Sequence, residues 1–172
     1  MKTLSPVLKK ILPLLISAWC SQGIVRAQST QADKKAEKEA LANLVESQNY
    51  TFVALTIMPM GSGTHELNPG DYDLKVTKGS LVCNLPYFGV GYSAPADPTK
   101  AGIQLLSTEF DYVISIKKKG GWNILMKPKD NRDVQRMSLS ISDNGYATLQ
   151  VVSTERQPIS YYGAISVTAP PK

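Results

Sequence analysis

The residues best suited to chemistry lie in one short segment. His65, the only histidine of the 172-residue chain, is followed directly by Glu66 and soon afterwards by Asp71. A histidine close to carboxylates is the arrangement used in general-base and Ser-His-Asp catalysis. The sequence contains no Gly-x-Ser-x-Gly elbow to supply a strained nucleophile. An exposed loop histidine is therefore the favoured interpretation.

Two carboxylates form a second candidate. Asp71 and Asp73 are two residues apart at the start of a predicted strand, so their side chains would share a face, about 6 to 7 Å apart. Paired carboxylates can catalyse glycoside hydrolysis or bind calcium. The favoured interpretation is structural: Asp71 caps a turn after Pro69-Gly70, and Asp73 points to solvent. We predict no catalytic residue, no metal site, no cofactor and no enzymatic activity.

Two other features are also interpreted as structural. Cys83 lies within the apolar run Leu81-Val82-Cys83-Asn84-Leu85, with no basic residue nearby to lower its pKa, so a buried thiol is favoured over a reactive one. Lys117-Lys118-Lys119 precedes Gly120-Gly121 and is typical of a solvated hairpin tip. Contact of these lysines with phosphate or lipid head groups is the less favoured alternative.

The most distinctive segment is Leu85–Pro95, in which aromatic residues alternate with glycine and proline. Exposed aromatic side chains on a rigid loop are typical of binding surfaces. Aromatic residues beside glycines also plug the ends of barrels, and the sequence favours neither interpretation. If the segment binds, the binding residues are Tyr87, Phe88 and Tyr92.

Most of the chain after Gln48 is predicted to form strands. Short β-branched and aromatic runs are separated by Gly, Pro and Asn, which is the pattern of strands and turns. The predicted strands lie near Tyr50–Met58, Tyr72–Thr77, Ser80–Leu85, Gly102–Leu106, Phe110–Lys117, Trp122–Lys127, Met137–Ser142, Tyr146–Ser153 and Ile159–Val167.

The strand patterns also predict how the sheet is built. Gly79, Gly120-Gly121 and Gly145 lie where tight hairpins require positive φ, which makes neighbouring strands antiparallel. In the run from Phe110 to Ile116, large apolar residues alternate with others, which predicts one apolar face. An antiparallel meander of this many strands favours closure into a β-barrel. A two-sheet sandwich is the alternative, because two connections are long.

The N-terminal part of the chain has a different character. Gln31–Ser47 is rich in Ala, Glu, Lys and Leu, with no Gly or Pro, and predicts one helix whose second half packs on the core. We assign residues 28–48 to this N-terminal helix and residues 49–172 to an all-β antiparallel barrel domain.

The first 27 residues resemble an export signal. A basic start, an apolar stretch from Ile11 to Trp19 and the small residues around Arg26 predict a signal peptide cleaved after Ala27. Acylation at Cys20, which would make a lipoprotein, is the alternative; the bulky Trp19 before it disfavours that reading. No later segment approaches the roughly 20 apolar residues of a spanning helix. We predict a periplasmic or secreted protein.

The net charge of +5 belongs mainly to this leader. The first 27 residues hold four basic residues and no acidic one, which leaves 15 basic against 14 acidic residues in the remainder. A nearly neutral domain gives no electrostatic reason to bind nucleic acid. We therefore predict no nucleic-acid partner.

Several motifs together resemble a known family. They are Val45–Ala54, Asp71–Leu74, Leu85–Gly89, Tyr92–Pro95, Lys127–Asp130, Asn144–Val151 and Arg156–Ser160. From about Lys34 to Ile165, the sequence resembles domain-of-unknown-function family 4251, a family of exported Bacteroidetes proteins. The resemblance implies a barrel of lipocalin-like topology behind an export signal. It implies no activity or site residue, and Cys83 is not part of the family pattern.

The sequence therefore predicts an exported, non-enzymatic β-barrel module. It would hold a small apolar ligand in the barrel or present its aromatic loop to an envelope protein. The oligomeric state is left open. A structural accessory of the envelope that docks through its N-terminal helix is one alternative. A hydrolase that uses Asp71, Asp73, Glu66 and His65 is the least favoured.

Overall fold

The computed structural model describes residues 24–61, 63–92 and 102–167. The chain divides into two compact units, residues 1–37 and 38–172. The described part of the first unit is the N-terminal part of one helix. The second unit contains the last turns of that helix and all the strands described below. Most of the predicted signal peptide, with Cys20, lies outside the described residues, as does Ser93-Ala94-Pro95 of the aromatic segment.

Helix α1 spans Ile24–Ser47, so it begins seven residues before the predicted start at Gln31. Leu41 and Val45 are buried, whereas the side chains from Asp33 to Ala40 are exposed. The prediction that the second half of the helix packs on the core is confirmed. The helix ends at Ser47. The next residue, Gln48, has a left-handed φ of 52°, which lets the amide of Asn49 reach the carbonyl of Leu44 at 3.2 Å.

Ten strands follow the helix. Their bounds are β1 Tyr50–Pro59, β2 His65–Glu66, β3 Asp73–Thr77, β4 Ser80–Leu85, β5 Ile103–Ser107, β6 Phe110–Ile116, β7 Trp122–Pro128, β8 Val134–Ile141, β9 Tyr146–Ser153 and β10 Ile159–Val167. All nine predicted strands are present, with small shifts at their ends. The additional strand, β2, places His65 on a short exposed strand, where a loop was predicted.

The strands form one antiparallel sheet in the order β5-β4-β3-β1-β10-β9-β8-β7-β6, with β2 paired to β1. The first and last long strands, β1 and β10, pair from Tyr50–Val167 to Pro59–Ile159. This pairing curls the meander into a nearly closed barrel and leaves β5 and β6 at the two ends of the order. The barrel prediction is confirmed, and the two-sheet sandwich is not observed.

A bend between β5 and β6 brings the two ends of the sheet together. Because eight antiparallel pairings separate them, β5 and β6 run in the same direction. Only Thr108 and Glu109 connect them, whereas side-by-side parallel strands need a crossover of about a dozen residues. The two strands must therefore lie end to end. The first half of this bent segment pairs with β4 and the second half with β7.

Asp130 holds this bend. Its carboxylate accepts hydrogen bonds from the hydroxyl of Ser107 and from the amides of Thr108, at 2.8 Å, and Glu109, at 3.3 Å. The amide of Lys129 donates in turn to the carbonyl of Glu109 at 2.7 Å. These donors lower the pKa of Asp130 to about 2, with the Ser107 bond contributing most. An ionised Asp130 therefore links the bend to the end of β7.

Large apolar side chains occupy the barrel interior. Trp122, Ile124 and Met126 of β7 are buried, and the largest fully buried side chains include Tyr50, Phe52 and Tyr161. At the helix end, the hydroxyls of Tyr50 and Tyr112 lie 3.0 Å apart, and Tyr112 donates to the carbonyl of Val45 at 3.2 Å. Burial raises the pKa of Tyr112 to about 12, so this hydroxyl stays protonated and joins the helix to the sheet.

Two details of the predicted patterns are wrong. Gly120, Gly121 and Gly145 have positive φ as expected, but Gly79 does not, so its hairpin needs no left-handed residue. The hydroxyl of Thr77 instead accepts the amide of Ser80, at 3.0 Å, and closes that turn. Ile116 was expected on the apolar face of β6 and is 80% exposed. It is the last residue of β6, which pairs on one side only, with β7.

Candidate functional site

The aromatic loop, defined here as Pro86–Tyr92, follows strand β4 and lies against the connection between β9 and β10. The amide of Tyr92 donates to the carbonyl of Glu155 at 2.7 Å, and the amide of Gln157 donates to the carbonyl of Val90 at 3.1 Å. Gly91 and Arg156 form a β-bridge between these two bonds. The loop backbone is therefore paired like a short strand, although its sequence is rich in glycine.

Tyr87 anchors the loop from within. Its hydroxyl lies 2.9 Å from the carbonyl of Val90 and 3.2 Å from the carbonyl of Gln157. Desolvation raises the pKa of Tyr87, so the hydroxyl stays protonated and can donate. At the start of the loop, the buried Tyr161 donates to the carbonyl of Pro86 at 2.6 Å. Both tyrosine hydroxyls therefore bond to backbone carbonyls at this end of the barrel.

Arg156 contacts three separate segments of the chain, which contain Tyr87, Gly102 and Asp133. Its guanidinium lies over the ring of Tyr87, 5.1 Å from the centroid, and donates to the carbonyl of Gly102 at 3.1 Å. It also forms an ion pair with Asp133 at 3.2 Å. The Arg156 side chain is only 13% exposed. A shielded guanidinium that meets a ring, a carbonyl and a carboxylate fixes the relative positions of all three.

The anchored loop presents three apolar side chains to solvent. Phe88 is 49% exposed, Val90 59% and Tyr92 65%. We call these residues the aromatic surface. The ring of Phe88 also contacts that of His65, with centroids 5.4 Å apart, so strand β2 borders the surface. Clustered exposed aromatic residues on a fixed backbone are typical of a binding surface, because little entropy is lost when they bind.

The residues considered for catalysis have other surroundings. His65 is exposed and contacts Phe88, and Glu66 is exposed beside it. Asp73 forms an ion pair with Lys75 at 3.3 Å. Asp71 is exposed, and its backbone carbonyl accepts a hydrogen bond from the Asn84 side chain at 3.4 Å. Asp73 is thus ion-paired, whereas it was expected to point to solvent, and the turn cap expected from the Asp71 side chain stays a prediction.

Cys83 and the three lysines also have structural surroundings. Cys83 is 3% exposed and burial strongly raises its pKa, so the expected buried thiol is confirmed. Lys117 donates from Nζ to the hydroxyl of Ser140 at 3.1 Å, and Lys118 and Lys119 are exposed at the turn. Within the part of the chain that the structure describes, no three His, Cys, Asp or Glu side chains are grouped to hold a metal ion.

The described residues contain no helix that is both long enough and apolar enough to cross a membrane.

Comparison with known proteins gives a family and a fold. The sequence profile of a domain of unknown function, DUF4251, matches residues 32–165. The chain belongs to the DUF4251 family. A similar solved structure is the crystal structure of a DUF4251 family protein from Bacteroides eggerthii DSM 20697. It has 16% sequence identity and a TM-score of 0.62, with 80% of this chain and 91% of that chain covered.

At this identity, the likeness between the two DUF4251 proteins establishes the fold alone. None of the curated proteins matches the chain. The resemblance derived from the sequence motifs is confirmed. The barrel architecture of this chain is shared with that DUF4251 structure. The function has to be inferred from the surface of the protein.

Sequence reasoning singled out Tyr87, Phe88 and Tyr92 but missed Val90 and Arg156. The structure separates these residues by role: Tyr87 bonds inward, and Phe88, Val90 and Tyr92 are exposed. Arg156 begins one of the DUF4251 motifs, Arg156–Ser160, and this was the available signal. Nothing local in the sequence indicates that its partners lie at Tyr87, Gly102 and Asp133.

Proposed function

We propose that this DUF4251 protein is an exported, non-enzymatic binding module that uses its aromatic surface to bind another protein of the cell envelope. The observation that carries the proposal is the exposure of Phe88, Val90 and Tyr92 on a loop with a fixed backbone. Export is supported by the leader before Gln28, and the aromatic surface gives the exported domain a means of association.

The anchoring of the loop is the first support for this proposal. A flexible loop would lose conformational entropy on binding, at about 1 to 2 kcal/mol for each backbone residue that becomes ordered. Here the loop is already paired with Glu155 and Gln157 and held by Tyr87. Most of that ordering has therefore taken place on folding, and burial of the three side chains is available for affinity.

The large buried side chains of the described barrel interior favour an outer surface over an internal ligand. A small barrel either fills with side chains or leaves room for one ligand. The interior positions of β7, Trp122, Ile124 and Met126, are buried among other apolar residues, and Phe110 packs partly against them. A small apolar ligand inside the barrel is therefore the second candidate, and the hydrolase alternative has no supporting contact among the described acidic residues.

Site-specific photo-crosslinking of the full chain in cells of the source organism tests the proposal. One variant carries a photoreactive phenylalanine analogue at Tyr92. The matched control carries it at Leu106, which is 70% exposed on strand β5. We expect a discrete adduct of protein size from position 92 and none from position 106. Phe88→Ser should weaken the adduct at position 92, because it removes the neighbouring aromatic contact.

Other outcomes contradict the proposal in separate ways. Equal adducts from both positions would indicate nonspecific proximity. No adduct from either position would contradict the proposal that the aromatic surface binds a protein. Native mass spectrometry of the purified protein covers the second candidate, since an added mass of small-molecule size would indicate a ligand. The mass of the mature chain also tests export: cleavage after Ala27 leaves Gln28 as its first residue, whereas acylation at Cys20 adds lipid mass.

A further inference from the structure

A second surface feature lies on the outer face of strands β8 to β10. The rings of Tyr146 and Tyr162 are parallel within 9°, with centroids 5.8 Å apart. They come from neighbouring strands, because Tyr146 pairs with Ala164 and Tyr162 with Thr148. Both rings remain open to solvent, at 46% and 40% exposure. The two tyrosines therefore form an exposed, stacked aromatic platform rather than part of the core.

Polar side chains surround this platform and form a groove of about 300 Å³. We call it the tyrosine groove; its lining includes Lys117, Ser140, Asn144, Tyr146, Thr148 and Tyr162. The volume is at the lower end of the range for small-molecule sites, about 300 to 1,000 Å³. Hydroxyl, amide and ammonium groups thus border the exposed part of the two stacked rings.

Hydrogen bonds hold the groove in shape. The hydroxyl of Ser142 lies 2.6 Å from the carbonyl of Tyr146 and 2.7 Å from the side-chain oxygen of Asn144. The amide of Gly145 closes the turn on the carbonyl of Ser142 at 3.0 Å. Tyr146 therefore follows a rigid turn, and its ring is already positioned against Tyr162 before any ligand binds.

The charge of the groove is positive. Lys117 is the charged residue of its lining, and Lys118 and Lys119 follow it in the same turn. The carboxylate of the adjacent turn, Asp143, is paired with Lys38 at 3.1 Å. A negatively charged ligand would therefore meet the ammonium group of Lys117, while the nearby carboxylate of Asp143 already has a cationic partner.

We propose that the tyrosine groove binds an acidic oligosaccharide. A pyranose ring has an apolar C–H face that stacks on an aromatic ring and a rim of hydroxyls that bond to side-chain hydroxyls and amides. The exposed ring surface of the stacked Tyr146 and Tyr162 supplies the stacking contact, and Ser140, Asn144 and Thr148 supply the polar rim. Lys117 pairs with the carboxylate or sulfate of the sugar. This site is separate from the aromatic surface.

Binding of defined oligosaccharides to the full chain, measured by isothermal titration calorimetry, tests the proposal. The probes are a galacturonic acid oligomer, a sulfated chondroitin oligomer and a neutral glucose oligomer of similar length. We expect binding of at least one acidic probe and none of the neutral one. Binding of the galacturonate alone would identify the carboxylate as the recognised group, and binding of the chondroitin probe alone would identify the sulfate.

Two variants and a control locate the site. Tyr162→Thr removes one stacking face and keeps a residue with high strand propensity, so affinity should fall by about tenfold or more. Lys117→Gln should lower affinity severalfold and flatten its dependence on salt. The matched control, Lys127→Gln, removes one exposed lysine from the outer face of β7 and should leave affinity unchanged. Circular dichroism confirms that each variant folds.

Three results would overturn the inference. They are failure of both acidic probes to bind at millimolar concentration, equal binding of the neutral probe, and equal loss of affinity in the Lys117 and Lys127 variants. The outcome is independent of the photo-crosslinking at Tyr92. Loss of the protein adduct with sugar binding intact would refute the proposed function alone, and the reverse would refute the tyrosine groove alone.

Discussion

Arg156→Met tests whether a single shielded guanidinium holds the aromatic loop in place. Methionine keeps the unbranched apolar stem and removes the charge. The variant loses a charged hydrogen bond to the carbonyl of Gly102, an ion pair with Asp133 and the contact with the ring of Tyr87. It also leaves the carboxylate of Asp133 without its cation. Among the described residues, Oδ1 of this carboxylate is buried and has no hydrogen-bond partner.

The size of the effect follows from these contacts. A hydrogen bond to a charged group contributes about 1.5 to 3 kcal/mol, and a cation-π contact about 0.5 to 1 kcal/mol. With the half-shielded ion pair included, we expect Arg156→Met to lower the free energy of unfolding by about 3 to 4 kcal/mol. The matched control is Lys75→Met. Lys75 is half exposed in its ion pair with Asp73, so the cost should be about 0 to 1 kcal/mol.

Urea unfolding of both variants measures the stability, and amide hydrogen exchange measures the loop. Exchange at the amides of Tyr92 and Gln157 should accelerate in Arg156→Met and stay unchanged in Lys75→Met, because those amides bridge the loop to the segment that contains Arg156. Equal losses of stability in the two variants would show that Arg156 stabilises the fold no more than an exposed lysine does. Unchanged exchange at Tyr92 would show that the loop is held without Arg156.

Three further predictions concern the barrel itself. Gly163→Ala would place its Cβ 2.0 Å from the carbonyl oxygen of Val53, so we expect the free energy of unfolding in urea to fall by about 3 kcal/mol. The control is Gly79→Ala, whose Cβ would have nothing within 4 Å, and its free energy of unfolding should change by no more than about 0.5 kcal/mol. The pKa of Asp130 is lowered from 3.8 to about 2 by its hydrogen bonds. The charged carboxylate therefore stabilises the fold fully at pH values above 3.8, and this stabilisation is lost as the pH falls through about 2. The stability difference from Asp130→Asn should therefore shrink over that interval, and a constant difference would contradict this account of the bend. Cys83 should resist a thiol reagent in the native protein and react after unfolding, because it is buried and burial strongly raises its pKa. The mass of the labelled peptide measures the reaction. Rapid labelling of the native protein would show that strand β4 opens.

The positions of the strands could be predicted because they depend on near neighbours in the chain. In β8, Met137, Leu139 and Ile141 are buried and alternate with half-buried serines, as the period of two requires. Gly120 and Gly145 marked turns whose left-handed backbone favours glycine. The number of strands and their tight turns predicted closure into a barrel, and the family resemblance agreed with that prediction.

Tertiary structure decided how the barrel closes and which loop residues are exposed. The bend at Thr108–Glu109 depends on Asp130, more than twenty residues away, and has no local signal in the sequence. Tyr87 and Phe88 are adjacent aromatic residues with similar apolar character. Tyr87 bonds to Gln157, 70 residues away, whereas Phe88 remains 49% exposed. The periodicity of a strand is a local property, but the burial of a side chain depends on distant residues that only the folded chain brings into contact.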